Sequence, residues 1–231
     1  WIVHGYTPGK FVTTKLAELP GIPGNAEQIS VAYQMTHEKY LASAGEAKGV
    51  EELTNFVHGP GLLNTVDPLE NGYASIDGMK LRVGGGVAND IGTALGVAGV
   101  NMPAPAVYES ISSGVTEGVF FPIETMYAFK IAEIAKYTYR NPQGMYTTAF
   151  GLIMNDDTYN DLSAAHRKCI DDMRGVSMAS KVGEYWLLAD KLGEEKFVEM
   201  GGKLTDACAA EQAYFAEKTA HIEAKIVAAA D

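Results

Sequence analysis

Met79-Lys80-Leu81-Arg82-Val83-Gly84-Gly85-Gly86 is the stretch whose reading decides the fold. Its first five residues alternate, so Met79, Leu81 and Val83 share one face of a strand while Lys80 and Arg82 share the other. The glycines release the backbone from the strand and lead into a helix through Asn89 to about Val97, with Gly92, Gly96 and Gly99 leaving room for close packing. In open α/β sheets ligands gather beyond the carboxyl ends of strands, where the N–H groups of a helix N-terminus can approach an anion. Arg82 lies at that end, and a guanidinium can grip a carboxylate through two parallel bonds of about 2.7 to 2.9 Å. Spacing alone also fits a solvated surface arginine.

Working outward, residues 1–4 are β-like and meet turn chemistry in Gly5-Tyr6-Thr7-Pro8-Gly9. Asn25 and Gln28 predict a capping box for a helix carrying Ile29, Ala32, Tyr33, Thr36 and Tyr40 at helical spacing, ended by Gly45. Residues 55–58 read as a strand entering the breaker His58-Gly59-Pro60-Gly61, a candidate crossing between lobes. Downstream, strands are expected near Asn101 and at residues 119–121. A helix then opens on Pro122 and turns Met126, Phe129, Ile134 and Tyr137 toward a core. Residues 146–154 form a long β-prone run. After Asn155 the chain reads as mostly helical, with a short strand near Lys203-Leu204-Thr205 and a last helix from about Asp206 to near Ala229. This alternation predicts an α/β fold with parallel sheet and a helix-rich C-terminal third that braces or bridges lobes.

A chain of 231 residues, 47% hydrophobic, can bury a core and divide it between two lobes. With 29 acidic against 18 basic side chains the net charge is -11, which repels phosphate backbones and argues against nucleic acid as a partner. An anion must then be held by a few placed donors. Cys169 and Cys208 fall in helix-like segments without metal spacing and read as unpaired buried thiols. His4, His37, His58, His166 and His221 are dispersed, so no metal is expected. Gly84-Gly85-Gly86-Val87-Ala88-Asn89 lacks the third glycine of a dinucleotide loop, no Walker lysine follows, and no GxSxG elbow occurs, so no cofactor is expected. Asp156-Asp157 and Asp171-Asp172 look like solvated helix ends. There is no apolar run long enough to span a bilayer, and Trp1-Ile2-Val3-His4-Gly5 has no signal-peptide pattern.

Phe120-Phe121-Pro122-Ile123-Glu124 puts adjacent aromatics on opposite faces of a strand end, so one can enter the core while the other faces a cleft. Glu124, in a first helical turn, suits the macrodipole and can also orient Arg82 or a ligand hydroxyl. Asn89 in the helix after the glycines, with Trp1, Tyr6, His58 and Tyr146 at strand ends or in loops, completes the candidate ligand contacts. Each of Trp1, Tyr6, His58 and Tyr146 alone is more often a packing residue.

Ile76-Asp77-Gly78-Met79-Lys80-Leu81-Arg82-Val83, Met102-Pro103 with Val107-Tyr108, Gly114 with Glu117-Gly118, Phe121-Pro122 and Asp157-Thr158-Tyr159-Asn160-Asp161-Leu162 occur in an order that resembles one family. It is that of the solute-binding proteins of tripartite ATP-independent periplasmic (TRAP) transporters, dicarboxylate type (DctP). The resemblance covers nearly the whole chain. It implies a two-lobed periplasmic binding protein-like fold with crossing hinge strands, a long lobe-spanning helix, and closure about the ligand. It implies that Arg82 pairs with the ligand carboxylate, that the protein is periplasmic, and that it delivers its ligand unchanged to TRAP membrane permease subunits. Lobe one is expected at residues 1–58 and about 147–187, lobe two at about 59–146 and 188–231. Family members begin with further strand and helix units before the point matching Trp1, so an N-terminal part is expected to be missing. Sialic-acid-type relatives carry a second arginine at the region matched by Gly59-Pro60-Gly61-Leu62 and an asparagine at Phe121. With Phe121, Trp1 and Tyr6 offering π-faces, the expected ligand is a small monocarboxylate with an apolar or aromatic body. The alternatives are an α/β enzyme in which Arg82 positions a carboxylate substrate for distant acidic groups, and a structural or interaction module.

Overall fold

The computed structural model describes residues 1–7 and 9–230, so Pro8 of the expected first turn lies outside the described residues. In chain order the elements are β1 (Ile2–Val3), α1 (Ala26–Thr36), β2 (Val50–Val57), β3 (Gly61–Thr65), β4 (Lys80–Val83), α2 (Val87–Ala94), β5 (Ala98–Asn101), α3 (Val107–Ser112) and β6 (Gly118–Pro122). They continue with α4 (Glu124–Ala128), β7 (Tyr137–Arg140), β8 (Ala149–Asn155), α5 (Asp156–Asn160), α6 (Ala164–Asp171), α7 (Val176–Glu199), β9 (Lys203–Asp206), α8 (Ala209–Thr219) and α9 (His221–Ala230).

Among the described residues the strands form two sheets, ordered β1-β8-β2 and β5-β4-β6-β3-β7-β9. The expectation of parallel sheet holds only for β4 with β5 and β6 and for β7 with β9. The rest is antiparallel because the chain crosses between the sheets twice, in opposite directions. The first crossing is His58-Gly59-Pro60, between β2 and β3, where the sequence places it, and the second joins β7 to β8. Each crossing therefore gives both sheets a strand antiparallel to that of the other, and Gly61 N–H donates to the Tyr146 carbonyl at 2.8 Å between them.

Asn25 caps α1 with the expected reciprocal bonds to Gln28, and Gly45, at φ +65°, ends the helical stretch. The buried face of α1 is only in part the expected one. Ile29, Ser30, Tyr33 and Gln34 point inward, while Ala32, Thr36 and Tyr40 are exposed. The cause is that α1 covers β2, an edge strand whose outward N–H and C=O groups need partners. Ser30 Oγ accepts from Val57 N at 3.0 Å and donates to its carbonyl, and the Gln34 amide oxygen accepts from Asn55 N.

Residues 2.0 apart in period separate two cores on the larger sheet. Leu63, Leu81, Val83 and Phe120 pack beneath α2, α8 and α9, whereas Leu62, Val119 and Phe121 pack with Met126 of α4 and Phe197 of α7. Four further expectations are corrected. Pro122 does not open a helix; it pairs with Gly61 as the last residue of β6. Helix α4 stops at Ala128, Lys130 adopts a left-handed φ of 59°, and Tyr137 starts a strand, because Tyr137-Thr138-Tyr139 alternates with β period. The C-terminal helix is two, divided at Ala220, where Thr219 Oγ1 donates to the Phe215 carbonyl at 2.8 Å. Cys169 and Cys208 are free and exposed instead of buried, Cys208 standing at the N-cap of α8.

Helix α7 spans both layers by means of two glycines. A Cβ on Gly183 would lie 2.5 Å from the Glu27 Cα of α1, and one on Gly193 would lie 2.5 Å from the Glu124 Cα of α4. Helix α1 covers the smaller sheet and α4 follows the larger, so these close approaches fix one helix to both.

Candidate functional site

Arg82 leaves β4 on the face opposite Leu81 and Val83, as its alternation dictates, and is only 2% exposed. Burial excludes the solvated-arginine reading. Its Nε and Nη2 donate to the Met102 carbonyl at 3.1 and 2.9 Å, Nη1 to the Phe120 carbonyl at 3.3 Å, and Nη2 also to the Tyr6 hydroxyl at 3.0 Å. All these acceptors are neutral. Among the described residues no carboxylate lies within ion-pair distance of Arg82. A buried cation without an anion is costly in low dielectric and attracts one strongly. The guanidinium carbon sits 4.5 Å from the Phe121 ring centroid, so Phe121 is the aromatic that faces the site while Phe120 is fully buried in the core.

These groups line a cavity of about 100 Å³. Trp1, Tyr6, His58, Phe121, Glu124 and Tyr146, all expected from sequence, lie around it with Arg82. Phe150 and Trp186 complete its wall and were not anticipated. Trp186 stacks on Phe150 with centroids 5.1 Å apart and planes 16° from parallel, and Trp1 meets Phe150 edge-on at 5.1 Å. His58 contacts Phe150, Tyr146 and Trp186 in the same cluster. The available signals were a Trp in the middle of a long helix and an aromatic in the β-prone run, but neither says which loop it will meet.

Asn89 is not part of this cavity. It lines a larger, more open groove of about 630 Å³ and accepts from the Asn101 amide at 3.2 Å. Nor is the first amide of α2 open to an external anion. The Glu18 carboxylate takes Val87 N–H on one oxygen and Ala149 N–H on the other, both at 2.9 Å. Glu18 thus fills the helix N-terminus with the protein's own carboxyl group and ties it to β8. We place the site in the smaller cavity because it alone of the two holds the buried cation and the aromatic wall.

Burial shapes the titration of the site. His58 is lowered to about 4 by desolvation and then by the Arg82 charge, although its Nδ1 contacts the Gly59 carbonyl, so it is neutral at pH 7. Glu124 is raised to about 8, first by burial and then by Asp190, and Asp190 is raised to about 7, also by burial, while it accepts from the Glu124 amide. Both carboxyls of this pair are thus held above the usual carboxylate range by burial. Glu18 is raised to about 7 by burial. A carboxyl whose folded value exceeds its unfolded one binds protons that the unfolded chain has released, so it lowers stability as pH rises through that interval. His4 and His58, both lowered to about 4, act in the opposite sense below their unfolded value of 6.5. Of these groups only the carboxyls act above about pH 6.5, so stability is expected to fall by on the order of 3 kcal/mol by about pH 8. Glu124→Gln is expected to flatten that decline. Thermal melts across this window check it, and a melting temperature that holds level or rises contradicts it.

Residues 2–229 match the family described as bacterial extracellular solute-binding protein, family 7. A TRAP periplasmic solute-binding protein from Bordetella bronchiseptica, solved with (R)- and (S)-mandelate, is 34% identical and superposes with a TM-score of 0.95 over 99% of this chain and 73% of its own. A TRAP solute-binding protein from an unidentified marine microbe, specific for aromatic acid ligands and solved with 3-hydroxybenzoate, is 32% identical, with a TM-score of 0.93 over 99% of this chain and 72% of its own. The outer membrane transporter protein TsaT of Comamonas testosteroni is 26% identical over 193 residues, which are 83% of this chain and 57% of TsaT. The chain thus spans little more than half the length of that curated relative.

Proposed function

Because the chain belongs to family 7 of the bacterial extracellular solute-binding proteins, we propose that it captures an aromatic monocarboxylate between two lobes and hands it, chemically unchanged, to TRAP membrane permease subunits. The observation that carries this reading is Arg82, 2% exposed, surrounded by neutral acceptors and facing a cavity walled by aromatic rings. A carboxylate supplies the missing negative charge through charge-assisted bonds to the guanidinium, and an aromatic body packs against Phe121, Phe150 and Trp186. Size favours the same class. The cavity, about 100 Å³, is on the order of the ~150 Å³ engineered cavity that holds benzene, so it suits one ring and not a sialic acid. The relatives solved with mandelate and with 3-hydroxybenzoate fit that reading.

We assign the lobes as the sequence reading does, residues 1–58 and about 147–187 to one and about 59–146 and 188–231 to the other. Closure then bends the two crossings, which run beside His58 and Tyr146 of the site. The family is extracellular by description, and we place this chain in the periplasm beside its permease. Among the described residues no helix is long and apolar enough to cross a membrane.

Isothermal titration of the purified protein with benzoate, mandelate and 3-hydroxybenzoate, against succinate and glucuronate, tests the reading. At least one aromatic acid is expected to bind with a Kd of roughly micromolar or below and to be recovered intact by chromatography. Binding confined to succinate or glucuronate contradicts the aromatic assignment, and consumption of the ligand favours the enzyme.

A further inference from the structure

Glu124 lines the same cavity as Arg82, yet only half of its carboxyl group is engaged. The Trp186 indole donates to Oε1 at 3.1 Å, whereas Oε2 is buried and has no hydrogen-bond partner among the described residues. A buried polar atom without a partner forfeits a hydrogen bond, and a ligand group that supplies one recovers it. No basic side chain among the described residues forms an ion pair with Glu124, so the carboxyl is not committed to a structural salt bridge.

The surroundings also hold this group in place. Trp186 is fixed by stacking on Phe150, and the backbone of Glu124 is pressed against Gly193 of α7. Asp190 accepts from the Glu124 amide, and burial, with Asp190 as the second cause, raises Glu124 to about 8, so it is protonated at mildly acid pH. A neutral carboxyl both donates and accepts. It can therefore pair with a hydroxyl without placing a second buried anion beside the ligand carboxylate, which an ionised Glu124 would repel.

We propose that Glu124 selects, among aromatic carboxylates, those bearing a hydroxyl, pairing its free oxygen with that hydroxyl while Arg82 holds the carboxylate. The proposal rests on the reading of this cavity as a carboxylate site and adds the substituent that the ligand carries. Without a hydroxyl, the ligand leaves Glu124 Oε2 buried and unpaired, and sites built to bond a hydroxyl discriminate strongly against analogues that lack it.

The test compares benzoate with 3- and 4-hydroxybenzoate, and phenylacetate with mandelate, by titration into wild type, Glu124→Gln and Glu124→Leu at about pH 6, where Glu124 is protonated. In wild type at least one hydroxylated acid is expected to bind roughly tenfold or more tightly than its parent. Glu124→Gln keeps a donor and an acceptor and is expected to retain the preference to within about threefold. Glu124→Leu is expected to lose it while still binding the parent acid. A wild type that binds each pair alike, or a leucine variant that keeps the preference, overturns the role of Glu124. Failure of every acid to bind wild type overturns instead the carboxylate reading beneath it. Where the leucine variant does not fold, a wild type that binds each pair alike still overturns the proposal.

Discussion

Arg82→Ala is expected to weaken binding of the aromatic carboxylate by about 3 kcal/mol, roughly a hundredfold in Kd. The loss has two parts. The ligand loses charge-assisted bonds, and its carboxylate is then buried in an aromatic cavity with no cation beside it. Arg82→Lys separates charge from shape. Lysine restores a positive charge, but its tetrahedral ammonium cannot lie flat over Phe121 and keep the guanidinium's bonds to the Met102 and Phe120 carbonyls while also meeting the ligand. It is expected to recover only part of the affinity, binding roughly tenfold more weakly than wild type. Titration of both variants, with circular dichroism to confirm folding, measures this. An alanine variant that binds like wild type contradicts the role of Arg82.

Gly193→Val is expected to be strongly destabilising. At this position a Cβ meets the Glu124 Cα at 2.5 Å and the Ile123 carbonyl oxygen at 2.8 Å, and backbone atoms cannot rotate away. Helix α7 must then shift from α4, at a cost of about 3 kcal/mol or more, since overpacking in well-packed regions typically costs 1 to 3 and a branched side chain sits at the upper end. Glycine inside a helix is itself about 1 kcal/mol less favourable than alanine, so its presence here reflects the close approach. For a chain of this size the expected fall in melting temperature is roughly 6 to 12 °C. Because α4 carries Glu124, ligand affinity is expected to fall as well. Lys191→Ala, on the exposed side of the same helix, serves as the control and is expected to change stability by no more than about 0.5 kcal/mol. A valine variant that melts with wild type contradicts the spanning role of α7.

What could be read from sequence was local. The period of residues 79–83 places Arg82 opposite a buried face, the Asn25 capping box starts α1, and the breaker after His58 marks a crossing. These depend on neighbours within a turn or a strand. The inward face of α1 was read correctly at Ile29 and Tyr33 but misassigned elsewhere, because hydrophobic periodicity does not register Ser30 and Gln34, whose burial answers to the open edge of β2. Pro122 was misassigned because its preference for a helix start competes with a strand pairing, Gly61 to Pro122, that only the fold supplies.

The site divides in the same way. Arg82 and Phe121 were legible because a strand fixes which way successive side chains point. Asn89 falls outside this cavity, and Glu18, 69 residues before Val87, takes the Val87 amide at the same helix start. Phe150 and Trp186 come from β8 and α7, far in sequence from His58 and Arg82, and meet them only because the chain crosses between sheets twice and α7 then lies across both. Nothing in the local pattern of either aromatic encodes that meeting.

The most direct test is a crystal structure of the protein with the aromatic acid that binds best. The carboxylate oxygens are expected within about 2.7 to 2.9 Å of the Arg82 guanidinium nitrogens, with the ring against Phe121, Phe150 and Trp186. A ligand seated in the groove beside Asn89, or one whose carboxylate points away from Arg82, contradicts the account.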